Sequence, residues 1–359
     1  MSKTKDKKLR IGVIMGGPSS EREPSLESGR HVAESLPTDK YEILPIFMDI
    51  EKKLWLIPQK LLVLHATDDV YARVEKEAKR IPYEELKIVI DLAFLALHGK
   101  YVEDGCFQGL LELQNIPYTG SGVLGSALGM DKHSQRKFLQ VEGILYPKCL
   151  LISQQDWQNK PNEVVTRIEK QFGFPCIVKP PREGCSTGVS KAENIKEFEK
   201  AMEECFKWDT AALIEEFITG VEVTCGVIED MQTSEPRALT PTETPPGLGN
   251  KILTMHDKIL PGAAENHTPP RLSPEVIEKI KAVAVCAFKA MKERIYSRID
   301  MWVIGDKVLI SEPNTLPGLM PATCLYHQAA EENMMPSDIL ELIIRLSLKA
   351  HKDKKGPLQ

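Results

Sequence analysis

The residues best suited to chemistry lie in two short segments near the C-terminus. Arg298 and Asp300 are two positions apart, as are Glu312 and Asn314, and a Gly305-Asp306 turn signal separates the two pairs. Because side chains alternate along a strand, each pair projects from one face of a predicted β-hairpin. If the loop has three residues centred on the aspartate of that turn, Asp300 lies directly opposite Glu312, with Cβ atoms about 5 Å apart.

Two facing carboxylates repel each other unless a cation lies between them. Oxygen ligands from Asp300, Glu312 and Asn314 suit Mg²⁺, which takes phosphate oxygens and water as its remaining ligands. The neighbouring Arg298 indicates a second anion. The alternative is an ordinary hairpin whose acidic side chains face solvent, and the hairpin pattern alone does not distinguish the two.

The composition is that of an ordinary globular protein. The chain has 359 residues, of which 42% are hydrophobic and 27% charged, enough for two or three domains with a sizeable core. The net charge of −5 and the sequence pI near 6.0 disfavour nucleic acid as a partner. No segment has the roughly 18 apolar residues that span a bilayer, and the first ten residues lack an apolar signal, so we expect a cytoplasmic protein.

The eight cysteines are scattered along the chain and include no C-x-x-C pair. This distribution indicates neither a disulfide framework nor a zinc site. Most of the cysteines are expected to be small buried residues, with Cys185 as the exception.

The N-terminal part of the chain predicts strands and helices in the order of a parallel α/β sheet. Strands are predicted over residues 9–15, 43–48 and 88–97, and a helix over 25–36. Glu21 follows the first strand and His98 to Glu103 follow the third, so both are expected to line a crevice at the carboxyl ends of the strands. The alternative for Glu21 is a charge that stabilises the N-terminus of the helix.

The middle of the chain suits phosphate binding. A strand predicted over 175–179 ends at Lys179 and leads into residues 180–188, a glycine-bearing, hydroxyl-rich segment typical of a flap over phosphates. The proline- and glycine-rich residues 232–267 are predicted to form a long excursion that acts as a lid. A further strand is predicted over 212–218, and helices over 121–139, 274–294 and 336–349.

Residues Gly120-Ser-Gly122-Val-Leu-Gly125 match the G-x-G-x-x-G pattern, but their context does not fit a dinucleotide site. They lie in mid-chain behind the short segment 116–119, whereas a true fingerprint follows the first long strand. The chain also contains no G-x-x-x-x-G-K-[ST]. We therefore expect neither a nicotinamide or flavin site nor a P-loop.

Seven segments, taken in order, resemble the D-alanine–D-alanine ligases of the ATP-grasp superfamily. They are His98-Gly-Lys-Tyr-Val-Glu-Asp-Gly105, Ile116-Pro-Tyr-Thr-Gly120, Met130-Asp-Lys132, Val178-Lys-Pro180 with Gly184-Cys-Ser-Thr-Gly188, Glu215-Glu-Phe-Ile218, Arg298-Ile-Asp300 and Glu312-Pro-Asn-Thr-Leu-Pro-Gly318. The resemblance implies an α/β, three-domain ATP-grasp architecture. Its parts would be an N-terminal Rossmann-like parallel sheet domain over residues 1–120, a central subdomain over 121–219, and a C-terminal subdomain over 220–359 with the lid at 232–267.

The activity implied by the resemblance is the ATP-dependent ligation of two D-alanine molecules through an acylphosphate, for peptidoglycan synthesis. The implied cofactors are ATP and Mg²⁺, with Mn²⁺ as an alternative ion. A homodimer is implied by the resemblance alone.

The resemblance also implies roles for particular residues in nucleotide and metal binding. Mg²⁺ would be held by the three hairpin ligands, Asp300, Glu312 and Asn314. The nucleotide would be bound by Lys132, Lys179, Glu215, Phe217, Ile218, Glu222 and Lys258.

A second set of residues would act on the amino acid substrates. Glu21 would hold the ammonium group of the first alanine, with His98 beside it. Arg298 and the backbone N–H of Gly318 would stabilise the oxyanion of the tetrahedral intermediate. Thr323 stands where the family has a serine that binds the carboxylate of the acceptor, and its hydroxyl can do the same.

Besides Thr323, the sequence departs from the family at two further places. Cys185 replaces a serine that links Glu21 to the lid, and a thiol is a much weaker hydrogen-bond donor. In the lid, Lys258 is followed by Ile259 where a tyrosine is typical. Met255-His256, followed by Ala264-Glu-Asn266, is instead similar to the lid of D-alanine–D-lactate ligases.

The lid therefore leaves the acceptor open between D-alanine, D-lactate and D-serine. An imidazolium at His256 would repel an ammonium acceptor and attract a lactate carboxylate, so acceptor choice would depend on pH. Two further alternatives are an ATP-grasp carboxylate–amine ligase with other substrates and a nucleotide-binding regulatory protein without catalysis.

Overall fold

The computed structural model describes residues 8–184, 186–245, 265–321 and 323–354. The predictions for Cys185, His256, Lys258 and Ile259 lie outside these residues. Across the described ranges, no helix is both long and apolar enough to cross a membrane.

The first sheet confirms the predicted parallel arrangement for three of its five strands. The strand order is β4-β3-β2-β1-β5, with β1 parallel to both β2 and β5, whereas β3 and β4 join one edge as antiparallel strands. The strands are β1 (Leu9–Gly16), β2 (Tyr41–Met48), β3 (Leu54–Leu56), β4 (Lys79–Ile81) and β5 (Leu92–Leu95). The helices around this sheet are α1 (Arg22–Ser35), α2 (Gln59–Leu62), α3 (Thr67–Glu77), α4 (Leu86–Val89) and α5 (Cys106–Leu113).

The predicted strand over residues 88–97 is wrong at its start. Ile88 lies in α4 and is exposed, and the strand begins only at Leu92. Asp91 fixes the turn between them, because its carboxylate accepts hydrogen bonds from the backbone and the guanidinium of Arg10. The apolar run is thus divided between a short helix and a short strand.

The second sheet is antiparallel throughout and has the order β6-β9-β7-β8. Two helices precede it where one was predicted, because the chain breaks at Asp131, whose carboxylate accepts from the backbone N–H of Ser134 at 2.7 Å. The elements are α6 (Val123–Met130), α7 (Lys132–Val141), β6 (Cys149–Ser153), α8 (Gln154–Asn159), α9 (Pro161–Gln171), β7 (Cys176–Lys179), β8 (Ser190–Ala192), α10 (Ile195–Cys205) and β9 (Ala211–Glu216).

The third sheet has the order β11-β10-β13-β14, and β12 also pairs with β10. Strands β11 and β12 lie within the predicted 232–267 excursion, so its described first part contains two short strands of the sheet between irregular residues. The elements are β10 (Val221–Glu229), β11 (Pro236–Ala238), β12 (Thr242–Glu243), α11 (Pro274–Ala290), β13 (Tyr296–Ile304), β14 (Lys307–Asn314), α12 (Cys324–Ala330) and α13 (Pro336–Lys352).

The hairpin of β13 and β14 pairs Asp300 with Glu312 as predicted, but for a different reason. The loop has two residues rather than three, since Ile304 pairs with Lys307. A β-bulge next to Asp300 then leaves Ser311 as the extra residue of β14 and restores the predicted pairing.

The hydrophobic core links the two ends of the chain. One cluster contains Phe94 and Leu26 from the N-terminal sheet and α1, together with Ile339 and Ile343 from α13. The terminal helix therefore shares a hydrophobic core with the first sheet and α1. The domain limits at residues 120 and 219 stay a prediction.

Candidate functional site

Two adjoining cavities lie among the three sheets. They are lined by nearly every described residue to which the sequence assigned a function. One, of about 250 Å³, lies between the second and third sheets, and the other, of about 100 Å³, lies between the N-terminal loops and the end of the β13–β14 hairpin. Both are lined by Lys132, Glu183, Gly184 and Glu312. The cavities therefore meet along one shared wall.

The larger cavity contains a buried cluster of three charges. Lys179, the last residue of β7, places Nζ 2.6 Å from Oε2 of Glu215, and Arg136 Nη2 donates to Oε1 of the same carboxylate at 2.7 Å. Burial raises the pKa of Glu215, but Lys179 and Arg136 together lower it below its ordinary value. Glu215 is thus an ionised group in the wall, and it keeps Lys179 at the cavity surface.

Burial has the opposite effect on Lys179. The loss of solvent lowers the pKa of its ammonium group, and the nearby charge of Glu215 offsets this only in part. Arg136 completes the cluster and donates a further bond to the carbonyl of Ser311 at 2.6 Å. Arg136 was not predicted, because an arginine in an amphipathic helix is usually on the solvated face.

Aromatic and apolar side chains, with one carboxylate, form another part of the lining of the larger cavity. Phe217, Ile218, Glu222 and Trp302 line it, and Glu222 lies opposite Trp302 in the pairing of β10 with β13. The ammonium group of Lys191 lies 3.9 Å from the centre of the Phe217 ring. Trp302 was not predicted, although its spacing of two from Asp300 on the same strand already places both on one face.

Lys132 lies where the two cavities meet. It is the first residue of α7, and its Nζ lies 3.0 Å from Oε2 of Glu312 and donates to the carbonyl of Glu183 at 2.6 Å. One ammonium group therefore connects the end of the hairpin to the segment after β7.

The hairpin gathers its predicted residues on one face. Arg298 donates to both oxygens of Asp300, at 2.8 and 2.9 Å, and Asn314 Nδ2 donates to Oδ2 at 3.2 Å. Thr224 of the neighbouring β10 donates to Oδ1 at 2.7 Å. The Asp300 carboxylate is thereby fixed in orientation next to Glu312.

These residues fit a divalent cation. Two carboxylates face each other, a carboxamide lies beside them, and Lys132 and Arg298 each balance one carboxylate. In the described part of the chain no group of three His, Cys, Asp or Glu side chains could hold a metal by itself. A hard cation would therefore take the oxygens of Asp300, Glu312 and Asn314 and complete its shell with ligand oxygens from the adjoining cavity.

Glu21 lies in the smaller cavity, in the turn after β1. Its backbone N–H donates to Oγ of Ser19, which in turn donates to the carbonyl of His98 at 2.6 Å. A Cβ atom at Gly184 would lie 2.0 Å from Oε1 of Glu21, so only a glycine allows this carboxylate to lie there. The N-terminal loops thus touch the segment after β7 directly.

His98 is held on both sides of its ring. Nε2 lies 3.0 Å from Oγ of Ser28, and Nδ1 lies 3.1 Å from the carbonyl of Leu316. Burial lowers the pKa of His98 to about 4, so the imidazole is neutral at physiological pH. Ser28 Oγ also accepts from the backbone N–H of Leu319, so this pair fixes the 316–319 turn that carries Gly318.

Glu103 is a second carboxylate in the smaller cavity, and the sequence had placed it only in the general crevice. Its oxygens accept from the backbone N–H groups of Gly99 and Leu316, both at 3.1 Å. Burial, and then the charge of Glu21, raise the pKa of Glu103 to about 7. Glu103 joins the 98–103 loop to the end of the hairpin.

Thr323 places a hydroxyl in the smaller cavity, which Gly318 also lines. Oγ1 is buried and has no hydrogen-bond partner among the described residues. An unpaired buried hydroxyl costs free energy unless a ligand satisfies it. Thr323 is therefore well suited to bind a polar group of a ligand.

Comparisons with known proteins agree with this geometry. Two family models match the chain: "D-ala D-ala ligase N-terminus" over residues 10–121 and "D-ala D-ala ligase C-terminus" over residues 138–345. The D-alanine–D-alanine ligase of Geobacillus thermodenitrificans is 32% identical over 97% of this chain and 98% of its own length.

Solved structures extend the comparison. VanG D-Ala:D-Ser ligase from Enterococcus faecalis matches with a TM-score of 0.82 and 28% identity, over 95% of this chain and all of that chain. D-alanine–D-alanine ligase from Bacillus anthracis complexed with ATP matches with a TM-score of 0.73 and 30% identity, over 97% of this chain and all of that chain. The structural similarity thus covers nearly the whole chain.

Proposed function

Because this chain belongs to the D-alanine–D-alanine ligase family, we infer that it is an ATP-dependent enzyme that joins two D-alanine molecules. Its fold is the α/β ATP-grasp fold. We propose that ATP lies in the larger cavity and the amino acids in the smaller one. We also propose that the chain forms three domains, divided near residues 120 and 219.

The observation that carries this assignment is the wall shared by the two cavities. Phosphoryl transfer needs the γ-phosphate of ATP and the carboxylate of the first D-alanine in contact, with cations around them. Lys132 and Glu312 line both cavities, so a group in either one reaches the same ammonium and the same metal ligand. The arrangement suits transfer from a nucleotide to an amino acid.

We assign residues to both steps of the reaction. The carboxylate of the first D-alanine attacks the γ-phosphorus, ADP leaves, and an acylphosphate forms. The amine of the second D-alanine, after losing a proton, then attacks the carbonyl carbon, and phosphate leaves. Lys132 and Lys179 contact the phosphates, and Arg298 with the backbone N–H of Gly318 binds the oxyanion of the tetrahedral intermediate.

We propose that Asp300, Glu312 and Asn314 hold Mg²⁺, or Mn²⁺ in its place. The ion supplies charge neutralisation at the transferring phosphoryl group. The protein contributes the fixed orientation of Asp300, which Thr224 and Arg298 set through hydrogen bonds to its oxygens.

We propose that Glu21 binds the ammonium of the first D-alanine and that Thr323 binds the carboxylate of the second. His98 then acts beside the site rather than on the substrate, because both of its ring nitrogens already have partners. Phe217, Ile218 and Glu222 are proposed contacts of the adenosine, with Glu215 in the wall behind it.

A different acceptor is the second candidate, and the similarity to a D-Ala:D-Ser ligase over 95% of the chain favours testing it. We further propose that the enzyme is cytoplasmic, supplies the dipeptide for peptidoglycan, and forms a homodimer. Gel filtration coupled to light scattering tests the last of these.

Product analysis tests the function. Purified protein is incubated with ATP, Mg²⁺ and either D-alanine alone or equal concentrations of D-alanine, D-lactate and D-serine, at about pH 6 and pH 8. We expect D-alanyl-D-alanine as the main product at both pH values, by mass spectrometry. A depsipeptide or a mixed dipeptide as the main product would contradict D-alanine as the acceptor, and ADP formation without any ligated product would contradict ligation.

A further inference from the structure

The segment Pro180–Gly184 forms part of the wall between the two cavities, and one side chain anchors it to the N-terminal loops. That side chain is Glu183. Lys100 forms an ion pair with its Oε1, and Ser20 donates to its Oε2 at 3.4 Å. The Glu183 side chain is only 9% exposed, whereas that of Lys100 is 35% exposed and Ser20 is exposed, so two residues at the protein surface hold a largely buried carboxylate.

Lys100 and Ser20 come from the two loops that also carry amino acid ligands. Ser20 immediately precedes Glu21, and Lys100 follows His98 by two residues. Lys100 also donates to the carbonyl of Trp208 at 3.3 Å, in the loop before β9. One lysine therefore connects the loop after β5 to two separate loops of the second sheet.

The neighbouring residue Arg182 makes a different kind of contact. It donates from Nε to Oδ2 of Asp209 at 3.0 Å, and Asp209 lies in the same loop as Trp208. Arg182 thus fixes the segment to its own sheet, whereas Glu183 fixes it to the N-terminal loops.

The backbone of Glu183 contacts a residue of the reaction site, whereas its carboxylate contacts the N-terminal loops. The carbonyl of Glu183 accepts from Lys132 Nζ, and the next residue, Gly184, lies against Glu21. Movement of the Glu183 side chain would therefore displace both a proposed phosphate ligand and the wall of the amino acid cavity.

We propose that Lys100 and Ser20 are positioning residues that act through Glu183 to keep the Pro180–Gly184 segment closed over the reaction centre, so that water does not reach the acylphosphate. The inference rests on the proposed function, because it concerns the fate of the intermediate. It assigns a role in coupling, meaning the fraction of consumed ATP that ends in ligated product.

The side reaction is hydrolysis of the acylphosphate. A water oxygen bonds to the carbonyl carbon, the bond from that carbon to the phosphate oxygen breaks, and D-alanine and phosphate are released with one proton. ATP is then consumed without dipeptide. Exclusion of water from a closed site prevents such losses.

The test compares ADP formed with dipeptide formed in Lys100→Met and in Glu183→Gln. We expect the wild type to form about one ADP per dipeptide, and both variants to form about three or more, because the segment opens to solvent. Lys100→Arg keeps the charge and the donor, so it should restore a ratio near that of the wild type. The ratio does not depend on the fraction of folded enzyme, so a purely structural loss would leave it unchanged.

Lys40→Met is the matched control. Lys40 also forms a long-range ion pair with a glutamate, at 2.8 Å from Oε1 of Glu341, but far from both cavities. The ratio of ADP to dipeptide in Lys40→Met should equal that of the wild type. In the Lys100→Met, Glu183→Gln double variant the two increases in the ratio should not add, because both changes remove the same ion pair.

A wild-type ratio in both Lys100→Met and Glu183→Gln would overturn the inference while leaving the proposed function intact. A raised ratio in Lys40→Met would also overturn it, since any lost ion pair would then suffice. Failure of the proposed function is a separate result, because the wild type would then form no dipeptide from D-alanine and ATP.

Discussion

Arg136 is the buried residue whose removal we expect to reduce stability most clearly. It is 2% exposed and makes two bonds to Glu215 and one to the carbonyl of Ser311. The substitution Arg136→Met keeps much of the apolar stem but removes the charge and the donors. Glu215 is then left in the wall with Lys179 as its cationic partner.

The size of the effect follows from these contacts. Removing one partner of a buried ion pair costs about 3–5 kcal/mol. Lys179 still contacts the other oxygen of Glu215 at 2.6 Å, so we expect the lower end, about 3 kcal/mol. An unfolding entropy of about 2.1 cal/mol/K per residue over 359 residues then gives a fall in Tm of about 4 °C.

The loss should also depend on pH. Lys179 and Arg136 lower the pKa of Glu215 by more than burial raises it. A carboxyl whose pKa is lower in the folded state stabilises the fold above its unfolded-state pKa, and this contribution is lost as the pH falls through the folded-state pKa. Arg136→Met raises that pKa towards the unfolded-state value, so less stability is left for acid to remove. The difference in Tm between wild type and variant should therefore be largest near neutral pH and should shrink as the pH falls below the unfolded-state pKa of the carboxyl.

Thermal unfolding of wild type and Arg136→Met at several pH values measures both effects. The control is Arg73→Met, which removes a solvent-exposed ion pair to Glu77 within one helix and should leave Tm unchanged. An Arg136→Met protein with the Tm of the wild type would refute the reasoning, because the buried charge of Glu215 would then be adequately balanced without Arg136.

Three further predictions concern the cavities. Thr323→Val should raise KM for the second D-alanine about tenfold with little change in Tm, because it removes one hydrogen bond to a charged group; steady-state kinetics measure this. Asp300→Asn should raise the half-saturating Mg²⁺ concentration about tenfold or more in a metal titration of activity, and an unchanged value would contradict the metal site. Burial, and then the charge of Glu21, raise the pKa of Glu103 from 4.5 to about 7 in the folded protein. The folded state therefore binds this proton more tightly than the unfolded state does, and the free energy of unfolding falls as the pH rises between those values. Glu103→Gln should lack this fall, and equal slopes of Tm against pH in both proteins would count against it.

Site residues were predicted most accurately from the sequence where polar residues follow the periodicity of a strand. Arg298, Asp300, Glu312 and Asn314 lie on one face, as alternation along two strands requires. Lys179 lies at the end of its strand and at a cavity, because a buried charge that follows an apolar strand needs an anionic partner, here Glu215.

Other features were beyond the reach of local patterns. Arg136 belongs to the site because its guanidinium reaches Glu215 of β9 and Ser311 of β14, and helix periodicity does not identify what lies opposite a helix face. The break at Asp131 depends on a capping bond, and the pairing of Asp300 with Glu312 across a two-residue loop depends on a bulge. The strand predicted from residue 88 failed because the pairing of Asp91 with Arg10, which divides that segment, joins residues far apart in the sequence.

The bulge at Ser311 makes the hairpin tolerant of changes at its tip. With a two-residue loop and no bulge, Asp300 would pair with Ser311, and Glu312 would project from the opposite face. The backbone around the bulge is held from outside the hairpin, because Arg136 donates to the carbonyl of Ser311 and Ile310 donates to the carbonyl of Leu145. The alignment of the carboxylates is thus set at the base of the hairpin, so the tip at residues 305–306 is where a short peptide insertion, such as an epitope or a fluorophore tag, should be accommodated without moving them.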